Sequence, residues 1–219
     1  MITGNSIGYL QRVDIAALQT VAMASQLKIQ VEALPGVFCT PNRPLAWVMH
    51  DASGAVSDDD VEAITATFVI GKSRVFEQDP RFGLVVLSEI ASRALSPTLN
   101  DPGSAIEVTG TMVRLFMMYN ECGESGRDAK VRFDRVAVPE LSLTDLFDDA
   151  FTGIARDGAG LVEVVVRLLK ALEALAAVDD PSMRDNAVRH ARLTLVRAEA
   201  ALKLPEDITV ARETARFAE

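Results

Sequence analysis

The sequence has little of what usually marks a metal site or a disulfide framework. It contains two cysteines, Cys39 and Cys122, and two histidines, His50 and His190. None of the four stands close to another along the chain, so no zinc-type spacing and no cysteine framework is present. We therefore predict no metal, no cofactor and no catalytic residue among them. Both cysteines are interpreted as packed or inert side chains in a reducing compartment.

Clustered positive charge and long apolar runs are also missing. The chain has 22 Lys and Arg against 31 Asp and Glu, a formal net charge of −9. An acidic surface repels phosphate backbones, and this argues against nucleic-acid binding. The most apolar helical run, Leu161–Val178, is interrupted by four charged residues, which indicates an amphipathic helix and not a membrane span. We predict a soluble polypeptide, in which His190 occupies a solvated, charged helix face.

The first fifty residues show strand patterns around one helix. Lys28–Glu32 alternates polar and apolar residues, the period of a half-buried strand. Asp14 is a favoured N-cap and predicts a helix directly after it. Further strands are predicted at Ile7–Gln11 and Pro44–Met49. We predict a small α/β unit over residues 1–52, packed as one globular body with a helical region over residues 53–219.

The helical region is marked by its N-caps. Ser57 and Asp60 stand at capping-box spacing, which predicts a helix reaching about Ile70. Three Asp-Pro pairs predict helix starts, because aspartate is a favoured N-cap and proline at the first position loses no hydrogen bond. Gly123–Gly126 is predicted to be a flexible loop, and Val131–Val138 a strand or an extended connector. Helices are expected near residues 80–95, 102–119, 142–155, 159–178, 181–203 and 206–217. The fold class is mainly α (α+β), with a bundle of about six or seven helices.

Polar residues crowd the start of the helix at 80–95. Arg74, Glu77, Asp79 and Arg81 form a tentative ligand-binding cluster, in which Asp79 is also explained as the helix cap. The guanidinium groups of Arg74 and Arg81 would suit a small anion at a helix N-terminus. Glu77 and Asp79 would alternatively serve a hydrolase as an acid/base pair or as metal ligands, but no nucleophile or histidine stands beside them.

A second polar cluster, Arg93, Asn100 and Asp101, follows the same helix. The two clusters are about 24 Å apart at 1.5 Å per residue, so one chain cannot join them in a single site. A second subunit packed antiparallel could do so. The helix between them is apolar on most faces, and such a helix is either central in its fold or part of a subunit interface. We therefore predict a homo-oligomer.

Several of these motifs resemble one family. Glu77–Gly83 (E-Q-D-P-R-F-G) followed by A-L-S-P-T-L-N-D-P resembles the signature of a bacterial family of predicted membrane proteins classed as a domain of unknown function. Gly8–Asp14 (G-Y-L-Q-R-V-D) and Pro35–Leu45, with P-G-V-F and P-L, resemble further motifs of that family. The resemblance covers residues 8 to about 105 and departs from the family at Arg43, where the family has a glycine. It implies a soluble region that follows several membrane spans, and it implies no reaction.

Three functions remain open at this point. The first is a non-catalytic cytosolic assembly or regulatory domain of an inner-membrane protein, acting through self-association. The second is a small-anion sensor that uses Arg74 and Arg81, and the third is a hydrolase. The expected partners are further copies of the chain and, if it is a fragment, the transmembrane segments of the full-length protein. The expected location is the cytoplasmic face of the inner membrane for a fragment of that family, and otherwise the cytoplasm.

Overall fold

The computed structural model describes residues 1–50, 54–126 and 132–219. The chain divides into two compact units. Unit 1 comprises Met1–Gly83 and Lys130–Glu140, and unit 2 comprises Leu84–Ala129 and Leu141–Glu219. The predicted combination of a small N-terminal α/β part and a helical bundle is confirmed. The expected boundary at residue 52 lies outside the described residues, and unit 1 continues beyond it to Gly83.

Unit 1 is built from two sheets and two complete helices in its described part. One sheet has the strand order β1-β5-β3-β7 and the other the order β4-β2-β6. Neighbouring strands are antiparallel except β3 and β7, which are parallel. The elements are β1 (Ile2–Thr3), β2 (Gly8–Val13), α1 (Ile15–Ala24), β3 (Leu27–Val31), β4 (Phe38–Cys39), β5 (Pro44–His50), α2 (Asp58–Thr65), β6 (Phe68–Gly71) and β7 (Val136–Ala137).

Strand β6 corrects one prediction. The capping box of Ser57 and Asp60 is present and begins α2, but the helix ends at Thr65 and not near Ile70. The apolar residues that follow pair with β2 instead, with Val13 opposite Phe68. The predicted helix ran too far because these residues suit a buried strand as well as a helix, and only the distant partner strand decides between the two.

Strand β7 brings a late segment of the chain into unit 1. The side chain of Gln19 on α1 holds it, since its amide donates to Asp134 over 2.6 Å and accepts from the backbone N–H of Arg135 over 3.1 Å. The N–H of Ile29 donates to the carbonyl of Arg135 over 2.9 Å. A strand is therefore confirmed within the predicted stretch, although it covers only Val136–Ala137 and Val131 lies outside the described residues.

Unit 2 is helical, and the three Asp-Pro pairs of the chain, the first of which lies just before this unit, begin helices as predicted. The helices are α3 (Pro80–Ala94), which starts before the unit boundary, α4 (Pro102–Gly126), α5 (Leu143–Asp157), α6 (Val162–Ala176), α7 (Pro181–Ala201) and α8 (Pro205–Thr214). Helix α4 corrects another prediction, because it continues through Gly123–Gly126, where we expected a loop. Interior glycines cost a helix about 1 kcal/mol each, which a long helix tolerates. The last predicted helix ends earlier than expected, and the 3-10 turn Arg216–Ala218 follows it.

The core of unit 2 lies between α4, α5, α6 and α7. Phe116 of α4 packs against Phe147 and Phe151 of α5, with ring centroids 4.5 and 5.5 Å apart. Helix α6 buries an uninterrupted face of valine and leucine side chains against them. Within the described parts of the chain, no helix combines the length and the hydropathy that a membrane crossing requires.

Candidate functional site

Three segments that carry sequence motifs meet within unit 1. We call this place the motif junction and define it as Gly8–Asp14, Pro35–Phe38 and Arg74–Gly83. The first two segments are joined by backbone hydrogen bonds, from Gly36 N to Leu10 O over 2.8 Å and from Leu10 N to Val37 O over 2.9 Å. The third is tied to the first by side chains. Gln78 Oε1 accepts from Val13 N over 3.0 Å, and Gln11 Nε2 donates over 2.7 Å to the carbonyl of Ser73, which directly precedes the third segment.

The centre of the junction is an ion pair between Arg74 and Asp79. Arg74 Nε and Nη2 donate to the two carboxylate oxygens of Asp79 over 2.7 and 2.9 Å, the bidentate arrangement that is strongest for this pair. Asp79 also caps α3, since Oδ1 accepts from Phe82 N over 3.0 Å. The side chain of Asp79 is 2% exposed and that of Arg74 22%. The Arg74 guanidinium lies 5.0 Å from the centre of the Phe82 ring.

Gly36 closes the junction from the side of the Pro35–Phe38 turn. Its φ of +94° lies in the left-handed region that favours glycine. A Cβ atom there would lie 2.3 Å from Asp79 Oδ2 and 2.9 Å from Arg74 Nη2. The turn therefore requires glycine at this position for two reasons, which are its backbone conformation and its close approach to the ion pair.

Gly36→Ala is expected to destabilise unit 1 by about 2 kcal/mol, because it adds both backbone strain and a clash with a buried carboxylate. Trp47 on β5 is the only tryptophan, so its fluorescence in a urea titration reports on unit 1. Gly83→Ala is the matched control, since a Cβ there meets nothing within 4 Å. That control should not lose stability. A Gly36→Ala protein as stable as the wild type would contradict this account of the turn.

A small cavity adjoins the junction. It has a volume of about 180 Å³ and is lined almost entirely by apolar side chains, with the amide of Gln78 at one side. Its lining residues are Val13, Ile15, Val31, Leu34, Pro35, Gln78 and Val138. A cavity of this size and character suits one apolar side chain better than a charged metabolite.

The other predicted site residues lie outside the bidentate pair of Arg74 and Asp79. Glu77 is exposed and Arg81 is half-buried. In the second cluster, Asp101 is an exposed cap of α4, accepting from Ser104 N over 3.2 Å and from Ser104 Oγ over 2.6 Å. Asn100 has a φ of +45°, and its N–H bonds the carbonyl of Ser96 over 2.8 Å, as at many helix ends. Arg93 is exposed in the last turn of α3.

A polar centre in unit 2 was not predicted. His190 is 1% exposed, which makes its predicted solvated position wrong. Its Nε2 lies 3.0 Å from Asp148 Oδ1 and 3.1 Å from Arg189 Nη2. Arg189 Nη2 also donates to Asp148 Oδ1 over 2.8 Å. The neighbouring arginines suggested exposure, but His190 stands on the same helical face as Met183, Ala187, Thr194 and Ala198, which are buried.

Burial dominates the electrostatics of this centre. Desolvation, followed by the positive charge of Arg189, lowers the pKa of His190 from 6.5 to about 4, although Asp148 acts in the opposite direction. Burial opposes ionisation of Asp148, but the hydrogen bonds and charges of Arg189 and His190 outweigh it and lower the pKa of that carboxyl. At neutral pH the centre therefore holds a neutral imidazole beside a carboxylate and a guanidinium.

Neither a metal site nor a reactive thiol at Cys39 finds support in the part of the chain that the structure describes. No group of three or more His, Cys, Asp and Glu side chains gathers there in a way that could hold a metal ion. Cys39 is buried, and burial raises the pKa of its thiol. Asp79, one of the two carboxylates considered for a hydrolase, is held by Arg74 and by the cap of α3. Both contacts give Asp79 a structural role.

The fold and the motif junction define an α+β protein with a helical second unit, whose sequence motifs assemble one structural centre. The chain belongs to the family described as predicted membrane protein (DUF2254), which it matches over residues 1–174. The resemblance seen in the motifs up to about residue 105 is thereby confirmed and extended into α6.

Relatives of the chain are found in mycobacteria. It is 32% identical over 185 residues to the uncharacterized protein Mb1321c of Mycobacterium bovis and to the uncharacterized protein Rv1290c of Mycobacterium tuberculosis. The match covers 81% of this chain and 35% of each relative, so the chain spans about a third of the length of the curated relatives it matches. No solved structure matches it.

Proposed function

We propose that this chain is a non-catalytic assembly domain of a membrane protein and that copies of it associate through α4. The observation that carries the proposal is an apolar stripe on the surface of that helix. Leu115, Met118 and Tyr119 are 40%, 59% and 41% exposed, and Cys122 is exposed beside them. Their spacing of three, four and seven residues places all four on one helical face. We call this face the α4 stripe.

The stripe suits a second copy of the same chain. An exposed apolar row on a helix can pack against its own copy around a two-fold axis, because a two-fold interface uses the same patch on both partners. A row of four side chains is far smaller than the roughly 20–30 residues that each partner contributes to a standard stable interface. We therefore expect weak association of the isolated chain. Copies held in one membrane would meet at a higher effective concentration.

The other two functions have less support. The guanidinium of Arg74 binds a carboxylate within its own unit, which weakens the case for an anion sensor at that position. Asp79 is engaged in the same pair, which weakens the case for a hydrolase. Self-association is therefore the function that we propose.

Cross-linking at Cys122 tests the proposal with a native residue. If two copies of α4 pack antiparallel and cross between Met118 and Tyr119, the two Cys122 residues lie about 10 Å apart along the axis at 1.5 Å per residue. A bismaleimide with a spacer of that length should give a covalent dimer of the wild-type chain. Light scattering at rising concentration should show a mean mass rising above the 23.6 kDa of one chain.

Two variants decide whether the stripe is responsible. Met118→Glu places a charge at its centre and should abolish both the cross-link and the rise in mass. Val210→Glu on α8 is the matched control, because Val210 is another exposed apolar residue of unit 2. It should behave as the wild type does. A wild-type chain that stays monomeric and forms no cross-link, or equal association of the two variants, would refute the proposal.

A further inference from the structure

Helix α7 carries three polar groups that lack partners on one buried face. His190 Nδ1, Thr194 Oγ1 and Arg197 Nη1 are all buried, and none has a hydrogen-bond partner among the described residues. His190 and Thr194 are each 1% exposed. Arg189 Nε is a fourth unpartnered buried atom on the same helix. Buried polar groups are satisfied in the great majority of cases, so these orphans require an explanation.

Helix geometry brings the three groups together. Positions 190, 194 and 197 are separated by four and seven residues, and such positions lie above one another on a single face. A long side chain on a helix points back toward the N-terminus, which directs Arg197 toward the turn that carries Thr194 and His190. The charge of Arg197 is close enough to His190 to contribute to the lowering of its pKa.

The balance of charge around the three groups is positive. Arg189 and Arg197 bring two guanidinium groups, whereas Asp148 is the carboxylate that contacts this centre. Asp148 is already engaged by Arg189 and by His190 Nε2. This local excess stands out in a chain whose net charge is −9. A water molecule would supply hydrogen bonds but no negative charge, whereas an oxyanion supplies both.

We propose that His190, Thr194 and Arg197 bind the phosphate group of a small ligand. Three separate side chains match a tetrahedral group with several oxygens better than a flat carboxylate with two. Thr194 donates its hydroxyl and Arg197 donates from Nη1 to phosphate oxygens. The proton of the neutral His190 is on Nε2, which faces Asp148, so its Nδ1 accepts from a protonated oxygen of the phosphate group. Arg197 is half-buried, so rotation of its side chain is the simplest way to admit the ligand. This site is independent of the α4 stripe.

Inorganic phosphate is the first probe, and its binding is tested with the 219-residue chain. Phosphate should raise the melting temperature in a concentration-dependent way, relative to sodium chloride of the same ionic strength. In isothermal titration calorimetry, the dissociation constant for phosphate should be at least about tenfold larger for Arg197→Gln than for the wild type. This is the loss of affinity expected when hydrogen bonds to a charged group are removed. Dihexanoyl phosphatidic acid and dihexanoyl phosphatidylcholine distinguish a lipid headgroup from free phosphate as the source.

A pair of threonine variants separates binding from folding. Thr194→Val removes an orphan hydroxyl at nearly constant shape, so the unliganded protein should be at least as stable as the wild type while phosphate binds about three- to tenfold more weakly. Thr109→Val is the matched control, because Thr109 is also buried in unit 2 but its hydroxyl donates to Ala105 O over 2.9 Å. That variant should lose stability and keep its phosphate response. The proposal is overturned if phosphate does not stabilise the wild type, or stabilises Thr194→Val and Arg197→Gln equally well.

Discussion

Replacing Asp79 by alanine is expected to lower the free energy of unfolding of unit 1 by about 3–5 kcal/mol, the loss typical of breaking a buried ion pair by removing one partner. The substitution leaves the guanidinium of Arg74 without its carboxylate at a position that is 22% exposed. It also removes the cap of α3. The partial exposure of Arg74 places the expected loss at the lower end of that range. A urea titration followed by the fluorescence of Trp47 measures it.

Asp101→Ala is the matched control for this experiment. Asp101 also precedes a proline and also caps a helix, but it is exposed, and it accepts from the N–H and the hydroxyl of Ser104. Loss of an exposed cap alone should cost about 1 kcal/mol. A double-mutant cycle of Asp79→Ala with Arg74→Met should give a coupling of more than about 1 kcal/mol. Equal losses for the two aspartate variants would show that the pair with Arg74 contributes nothing.

The second large effect is the pH dependence that His190 gives to unit 2. Burial lowers the pKa of His190 from 6.5 to about 4. Between these two values the unfolded chain binds a proton that the folded chain excludes, so the free energy of unfolding rises with pH across this window. Acidification from pH 6.5 to pH 4 should therefore remove about 3 kcal/mol through this one residue. Chemical denaturation followed by far-ultraviolet circular dichroism at several pH values measures the slope.

His190→Gln isolates the contribution of the imidazole. Glutamine can still donate to Asp148, and it does not titrate, so the slope between pH 5 and 6.5 should become nearly flat. The lowered pKa values of Asp60, Asp101, Asp148 and Asp157 also reduce stability in acid, but from about pH 4 downward, which leaves the upper part of the window to histidine. His50→Gln is the control, because it removes the other histidine of the chain without changing the centre around His190. An unchanged slope in His190→Gln would exclude this explanation.

Local signals in the sequence predicted the helices well and the strand partners poorly. Aspartate before proline began α3, α4 and α7 because capping and the fixed φ of proline act within a few residues. Strand β6 was assigned to a helix because its apolar run has no period of its own. Its pairing with β2 depends on residues more than fifty positions away. The glycines at the end of α4 caused the opposite error, because they predicted a loop where the helix continues.

The same contrast holds for the polar centres. The link between Arg74 and Asp79 spans five residues, and both residues belong to the cluster that the sequence indicated at this helix entry. The contribution of Gly36 could not be predicted, because the close approach of a turn to a carboxylate has no local signature in the sequence. The burial of His190 was not predicted, because the arginines beside it in the sequence suggested an exposed position. The helical period of Met183, Ala187, Thr194 and Ala198 would have indicated its burial.

Strand β7 has a consequence for the order in which the protein is made. One edge of β3 is covered by Val136–Ala137, which follow the whole of α3 and α4 along the chain. The ribosome must therefore synthesise both of those helices before the first sheet can be completed. Until then β3 presents unpaired backbone groups on that side, the kind of open edge at which nascent chains aggregate. Biogenesis of unit 1 thus depends on sequence that belongs mostly to its neighbour.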